Sequence, residues 1–352
     1  MTDSITFISN SRFHRRLTVD TAHGPLKVSF ADIGCSTGPA LLYLPGMFAS
    51  RYLGIPMHVM AERAGVRLLV VDRPGIGGST DVSLAQRISV WVDMLPRLLA
   101  RLGILRVSLA AHSAGAIYLL NTWAQCREVI SPAVFIIAPW VDAAHSRVTS
   151  MRMAQYLPNK VFSFWHHIPR VLVTQASPVF ASSGALVRRM SLSSGIGTNQ
   201  AEEDRTFLDA NWRRIERDYA VPRKESAQLF QLSLQFMFAE STVGANSEAM
   251  QCLRKGEGSD WGACSDYASC ARMLVERERE RRQRAQGVMK LRTYLAEKDA
   301  MVGSRGQEYM EECWRGLGEG VEVVSRKLEG TDHDTVSQAV EVWEEIFSLI
   351  KT

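Results

Sequence analysis

Short, nearly continuous apolar runs recur along the first 141 residues, and two of them end in Pro-Gly. Ala40–Gly46 reads ALLYLPG, Val66–Gly75 reads VRLLVVDRPG, and the runs RVSLAAHS and AVFIIAPWV follow. Runs of this length are typical of strands that are buried on both faces of a parallel sheet. Between them, Leu84–Leu102 has apolar residues at steps of three and four and is followed by Gly103, which indicates an amphipathic helix. Strands that alternate with helices predict an α/β fold with a mostly parallel sheet.

Arg15–Phe30 is predicted to form a hairpin of two further strands, which makes AVFIIAPWV the sixth predicted strand. The alternation stops after it and resumes near residue 287. Residues 143–286 contain helical patches and little strand signal, whereas MKLRTYLAE and VEVVSRKLE have strand patterns and Val336–Ile350 has a helical one. A break and return of this kind predicts a segment inserted into one α/β domain. We therefore expect residues 1–142 and 287–352 to form the core and residues 143–286 to form a helical cap, or lid, domain.

The stretch AHSAG at Ala111–Gly115 follows a predicted strand and begins a predicted helix. Ser113 therefore lies where the chain turns sharply, and two interpretations are open. A serine directly before a helix can cap its first turn. A serine between small residues at a strand–turn–helix junction can instead be presented as a nucleophile, usually in the pattern G-x-S-x-G. Ala111 replaces the first glycine of that pattern, and Gly115 keeps the second.

Two residues near the carboxyl terminus favour the nucleophile interpretation. Asp299, in YLAEKDAMV, comes just after the resumed strand, and His333, in EGTDHDTV, comes just after the last predicted strand. A serine hydroxyl is a weak nucleophile that needs a base, and the base needs an orienting group. In this hypothesis His333 accepts the proton of Ser113, and Asp299 holds the imidazole in the required tautomer.

The turn LPGMFAS, which ends an early predicted strand, supplies a further candidate element. A glycine at position 46 lets the following backbone amides turn toward Ser113. The amides of Met47 and Ala114 are therefore candidates for an oxyanion hole, the pair of donors that binds the developing negative charge.

These motifs resemble those of the α/β-hydrolase superfamily. DRPGIGGST at Asp72–Thr80 is similar to the D-R-x-G-x-G-x-S turn that follows the fourth strand in that family. The resemblance covers Ala40–Trp140 and about Met289–Ile350, while the inserted segment matches a cap by position. Its WGACSDY stretch is similar to one in capped members, particularly fungal ones. The resemblance implies an α/β-hydrolase fold, with a mostly parallel twisted sheet, flanking helices and a helical cap inserted after the sixth strand.

The resemblance also implies a reaction class. The leading hypothesis is a serine hydrolase that cleaves an ester, thioester or lactone of a small apolar substrate, of the kind found in secondary metabolism. An acyltransferase, cyclase or lyase could use the same site, and a ligand-binding receptor of the same fold is a third alternative. Epoxide hydrolases and dehalogenases are disfavoured, because those relatives have Asp where this chain has Ser113.

Four aromatic residues are expected to contact the substrate: Phe48, Trp140, Phe164 and Trp165. For the two in the inserted segment, packing within the cap is the alternative. Asp142, after the sixth predicted strand, is an alternative to Asp299 as the orienting acid.

Charge and composition restrict the partners. The chain has 41 basic and 37 acidic residues, a balance that does not indicate nucleic-acid binding, and it has no apolar run long enough to span a membrane. The amino terminus has no signal-peptide pattern, and the six cysteines are interpreted as reduced thiols of a cytoplasmic protein. His145, His166 and His167 lack companion ligands at metal-binding spacing, so neither a metal nor another cofactor is expected. The interpretation is compatible with a homodimer.

Overall fold

In the computed structural model, which describes residues 4–167, 197–283 and 287–351, eight strands form one sheet in the order β1-β2-β4-β3-β5-β6-β7-β8. The strands are β1 Arg15–Thr21, β2 Gly24–Gly34, β3 Ala40–Leu44, β4 Arg67–Val71, β5 Val107–Ser113, β6 Ile130–Pro139, β7 Met289–Lys298 and β8 Val321–Asp332. β1 and β2 pair as an antiparallel hairpin, β2 is antiparallel to β4, and all the other neighbours are parallel. The predicted mostly parallel sheet is confirmed.

Helices occupy both the connections within the sheet and the long segment between β6 and β7. The first group is α1 Ser4–Ile8, α2 His58–Ala64, α3 Arg87–Arg101 and α4 Gly115–Gln125. The segment after β6 contains α5 Ala143–Ser146, α6 Thr149–Ala154, α7 Asn159–Phe162, α8 Gly197–Tyr219, α9 Arg223–Ala239, α10 Gly244–Cys252 and α11 Tyr267–Gln283. The last two are α12 Gly303–Trp314 and α13 Val340–Leu349. None of the helices in the described ranges combines the length and apolar character needed to cross a bilayer.

The central strand β5 is buried along its whole length, because helices cover both faces of the sheet. Trp91 and Leu95 of α3 belong to the apolar cluster on one face, and Trp343 and Phe347 of α13 belong to the cluster on the other. The continuous apolar runs in the sequence have this origin, since a strand covered on both faces has no solvent-facing side to make polar.

The described part of the segment between β6 and β7 consists of helices joined by loops and contains none of the eight strands, as expected for a helical insertion. α9 lies against the 3-10 helix Arg51–Met57, and α8 contacts the 3-10 helix Thr335–Gln338 that follows β8. Both helices therefore cover loops at the carboxyl ends of strands, where ligands bind in open α/β sheets. α11 instead packs against α4 and α12, beside the sheet. The exact domain boundaries stay a prediction.

Candidate active site

Ser113 occupies a sharp elbow between β5 and α4. Its φ angle is 51°, in the left-handed region that residues with a side chain rarely adopt. Directly after the elbow, a Cβ atom on Gly115 would lie 2.2 Å from the carbonyl oxygen of Leu44 in the neighbouring strand, so only glycine fits there. The Ser113 hydroxyl makes no cap hydrogen bond to α4, whose cap residue is Ala114. The strand–turn–helix geometry therefore presents the hydroxyl of Ser113 to other groups.

A continuous chain of hydrogen bonds joins Ser113, His333 and Asp299. The Oγ atom of Ser113 lies 2.8 Å from His333 Nε2, and His333 Nδ1 lies 2.8 Å from Asp299 Oδ2. The other carboxylate oxygen of Asp299 accepts the backbone N–H groups of Met301 and Val302, each at 2.9 Å. The side chains of both His333 and Asp299 are almost completely buried. Three residues that are distant in sequence thus meet with the separations that proton transfer requires.

The charges of His333 and Asp299 strongly influence each other. Burial opposes the charged form of His333, but the nearby carboxylate of Asp299 outweighs it and raises the pKa of His333 to about 9. Burial likewise opposes ionisation of Asp299, but the charge and hydrogen bond of His333 and the two backbone donors leave the pKa of Asp299 below its usual value. The arrangement therefore stabilises an imidazolium beside a carboxylate, which is the charge distribution that forms when His333 accepts a proton.

His112, which precedes Ser113, and Asp142, the alternative acid, have other partners. His112 is buried, and its Nε2 donates to the backbone oxygen of His333 at 2.8 Å. Burial, followed by the proximity of His333, lowers the pKa of His112. Asp142 caps α5 by accepting the N–H of Ala144.

The loop Pro45–Arg51 approaches the elbow from the end of β3. A Cβ atom on Gly46 would lie 3.4 Å from Ser113 Cβ, so this loop passes directly beside the serine. The N–H of Ala49 donates to Gly46 O at 3.2 Å, and Phe48 has a φ angle of 67°. A positive φ at the third residue of a turn is normally the place of glycine. Met47, the predicted oxyanion donor, lies within this tight turn.

Asp72 and Arg73 hold the two ends of the loop. Asp72 accepts the N–H of Arg51 through Oδ1 and its guanidinium through Oδ2, each at 2.6 Å. Arg73 donates to Pro45 O and Gly46 O, and its guanidinium pairs with Glu248 of α10. Glu240 is the second partner of Arg51. Sequence reasoning missed these contacts, although the D-R pair of the DRPG turn is a signal that could have pointed to them.

A cavity of about 140 Å³ opens beside the loop, between it and helices α8 and α9. Gly46, Met47 and His112, all close to Ser113, form its near end, whereas Ser113 and His333 themselves do not line it. Its walls are mainly apolar and include Leu53, Met57, Met60, Leu208, Trp212, Ile215, Phe230, Leu234, Met237 and Phe238. The cavity is suited to the apolar group of a molecule that has another of its atoms next to Ser113.

The structure brings one of the four predicted substrate contacts to this cavity. Phe48 lines it, whereas Trp140, Phe164 and Trp165 are absent from its described walls. The Trp140 indole donates to Cys252 O at 3.0 Å within the core. Phe164 is 68% exposed, and Trp165 packs against Phe162. In the described ranges no three His, Cys, Asp or Glu side chains come together as metal ligands.

Comparison with known proteins shows the family to which the chain belongs. The sequence model of the protein family described as "Alpha/beta hydrolase family" matches residues 41–345 of this chain. The chain therefore belongs to the α/β-hydrolase family, and it is an enzyme of the hydrolase class. A search of curated protein sequences returned no match.

Solved structures with the same fold have low sequence identity. One comes from a crystallographic study of carboxylesterases of the archaeon Nitrososphaera gargenis. It has a TM-score of 0.56 and 14% identity, and the match covers 96% of this chain and 98% of that chain. An esterase from a Rhodococcus species has a TM-score of 0.54 and 16% identity, with coverage of 96% and 98%. An enol-lactonase from Burkholderia xenovorans has a TM-score of 0.55 and 10% identity, with coverage of 96% and 100%. At these identities the likeness shows the fold alone.

Proposed function

We propose that the protein is a serine hydrolase that cleaves carboxylic esters, including thioesters or lactones, of small apolar molecules. The observation that carries the proposal is the pair of 2.8 Å hydrogen bonds that joins Ser113 to His333 and His333 to Asp299. Proteins of similar fold include carboxylesterases and an enol-lactonase, which supports the same reaction class.

In the proposed mechanism, Ser113 Oγ attacks the carbonyl carbon while its proton passes to His333 Nε2. Asp299 stabilises the resulting imidazolium through Nδ1. The negative charge on the former carbonyl oxygen is bound by the N–H groups of Met47 and Ala114. Collapse of this intermediate transfers the proton of His333 to the leaving alcohol or thiol and leaves an acyl group on Ser113.

The second half of the reaction releases the acid. Water gives a proton to His333 Nε2 and attacks the acyl carbon, and the proton then returns to Ser113 Oγ as the ester bond to the enzyme breaks. Each half uses the same oxyanion donors, so one site serves both steps. An alcohol or amine that replaced water here would make the protein an acyltransferase.

The cavity beside the loop supports the substrate assignment. Its apolar walls favour an apolar acyl or alcohol group, because burying each methylene there contributes about 0.8 kcal/mol. Phe48 contacts the substrate in this proposal. For Trp140, Phe164 and Trp165 the same role stays a prediction.

A fluorophosphonate probe tests the proposal. We expect mass spectrometry to find one adduct, on Ser113, that is absent from Ser113→Ala and forms slowly in His333→Ala. Both variants should lower the turnover of a para-nitrophenyl ester by roughly four to six orders of magnitude, because such residues act as a unit. An adduct on another serine, or none on folded protein, would contradict the assignment. Labelling without ester turnover would favour the transferase, cyclase and lyase alternatives.

A further inference from the structure

Arg73 is buried directly behind the loop that passes Ser113. Its guanidinium is 1% exposed and donates to Pro45 O at 2.5 Å and to Gly46 O at 2.8 Å. Gly46 O also accepts the N–H of Ala49, so both of its lone pairs are used. The carbonyl of Gly46 is therefore held by a buried guanidinium and a backbone N–H, which leaves no lone pair for solvent.

The carbonyl of Gly46 and the N–H of Met47 belong to the same peptide unit. A trans peptide is planar, and its C=O and N–H bonds point in opposite directions. An arginine that holds Gly46 O from one side thus aims the Met47 N–H toward the other side. We infer that Arg73 is a positioning residue for the oxyanion hole, and that Glu248 holds Arg73 in place. This inference rests on the proposed function, in which Met47 is an oxyanion donor.

Glu248 reaches Arg73 from α10, in the segment inserted after β6. Its two oxygens lie 2.6 and 3.0 Å from Arg73 Nε and Nη2, and it is 1% exposed. A further donor, Arg87 Nη2, lies 2.9 Å from Glu248 Oε1. The fork of the carboxylate fixes the plane of the Arg73 guanidinium, which in turn fixes the two carbonyls. One residue of the inserted segment therefore acts on the reaction centre through two hydrogen-bonding steps.

A guanidinium on the carbonyl also polarises the peptide and strengthens its N–H as a donor. This effect matters most when the oxygen at the site carries negative charge, which happens in the transition state. Loosening Arg73 should therefore lower kcat and leave KM nearly unchanged. Loss of a whole oxyanion donor lowers kcat by roughly 10²–10³, so a misdirected donor should lower it by roughly ten- to a hundredfold.

The test compares Glu248→Gln with a matched control, Glu278→Gln. Glu278 is 3% exposed and pairs with Arg127 through both oxygens, beside the sheet and away from the loop. Both variants lose one buried charge and retain the side-chain shape. We expect only Glu248→Gln to lower kcat for a para-nitrophenyl ester at unchanged KM. We also expect it to weaken binding of a trifluoromethyl ketone, whose adduct with the serine carries an oxyanion, by a similar factor.

Equal kcat values and equal inhibitor affinities in the two variants would overturn the inference. If Glu248→Gln does not fold, as judged by its melting curve, Arg73→Lys replaces it, because lysine keeps the charge but cannot hold both carbonyls and the carboxylate. The same loss of kcat and inhibitor affinity is expected, and wild-type values would overturn the inference. A wild-type protein that is neither labelled at Ser113 nor active on esters would instead refute the proposed function.

Discussion

The Oδ2 atom of Asp142 lies 2.6 Å from Arg254 Nε, so this oxygen is engaged by a guanidinium. Its other oxygen caps α5. The Nδ1 atom of His333 has Asp299 as its partner at 2.8 Å. Of the two carboxylates that follow neighbouring parallel strands, only one is therefore positioned to orient the imidazole.

Replacing Asp299 by asparagine should lower kcat/KM by about 10⁴, because asparagine favours the wrong tautomer of the histidine. The isosteric change Asp142→Asn should lower it by less than about tenfold, since it removes only a partly buried ion pair and weakens one helix cap, neither of which involves His333. Steady-state kinetics on one ester measures both. A severe loss in Asp142→Asn with a mild one in Asp299→Asn would reverse the assignment of the acid.

The pH profile of kcat/KM should have the midpoint of its acidic limb above pH 6.5, which is the ordinary pKa of histidine. His333 must be unprotonated to accept the proton of Ser113, and the carboxylate of Asp299 raises the pKa of His333 to about 9. As the pH falls through this pKa, kcat/KM should fall about tenfold per pH unit. In Asp299→Asn the raising influence is gone, so the midpoint should move to lower pH, whereas Asp142→Asn should leave it in place. The rate of fluorophosphonate labelling as a function of pH measures the midpoint even in slow variants. A midpoint at or below 6.5 in the wild type would contradict this prediction.

Enlarging the cavity should change the preference for acyl chain length. Trp212→Ala removes a wall residue that contacts Phe230, so the ratio of kcat/KM for a long ester to that for a short one should rise by roughly tenfold. Phe164→Ala is the matched control, because it is also an aromatic-to-alanine change in the inserted segment but lies outside the described walls. The opposite result, with Phe164→Ala altering the ratio and Trp212→Ala not, would support the sequence-based assignment of Phe164 to the substrate site.

The hydroxyl of Tyr43 should select substrates that carry a polar atom within their apolar group. Tyr43 is fully buried and lines the cavity, and its hydroxyl, which lies near that of Ser337, makes no hydrogen bond of good geometry in the described part of the chain. The hydroxyl of Ser337, on the same wall, donates to Asp334 O. A ligand oxygen that accepts from Tyr43 would satisfy an otherwise unpaired buried group.

The measurement uses isomeric esters with a keto group at successive carbons, compared with the plain ester of equal length. One isomer should be preferred by the wild type, and Tyr43→Phe should reduce that preference by about tenfold, since a buried hydrogen bond contributes about 1 kcal/mol or more. The turnover of the plain ester should hardly change, which serves as the internal control. A series without any preferred isomer in the wild type would contradict the role of Tyr43.

Gly115→Ala should destabilise the fold by about 3 kcal/mol or more, because its Cβ would overlap the backbone oxygen of Leu44. Gly287→Ala is the control, since a Cβ atom there meets nothing within 4 Å. Chemical denaturation of the two variants measures the difference. Equal midpoints would show that the elbow tolerates a side chain at this position.

The main features of the fold, and the proximity of Ser113, Asp299 and His333, could be predicted because their signals are local. Ser113 ends β5, and Asp299 and His333 directly follow β7 and β8, all of which have strand patterns that are visible in the sequence. Parallel strands bring their carboxyl ends to one edge of the sheet, so residues that follow such strands are near one another even when they are distant in the chain.

The supporting contacts could not be predicted in this way. Glu248 and Arg73 are 175 residues apart, and Glu248 lies within a helix whose pattern does not distinguish it from other acidic residues. Trp140 also follows a strand directly, but its indole turns into the core toward Cys252. The direction of a side chain after the last strand residue depends on packing with distant elements, which a single sequence does not contain.

Phe48, in the loop beside the elbow, and Ser113 both have left-handed backbones that glycine would adopt without steric strain. Each contributes about 1–3 kcal/mol of strain to the native state. Selection on stability alone would therefore act against serine at position 113, whereas at position 48 the loss of a buried phenylalanine ring would outweigh the relief of strain. A descendant of this chain in which position 113 served no reaction would gain stability by accepting glycine there, so the residue at this position in a lineage records whether the chemistry proposed for it has been retained.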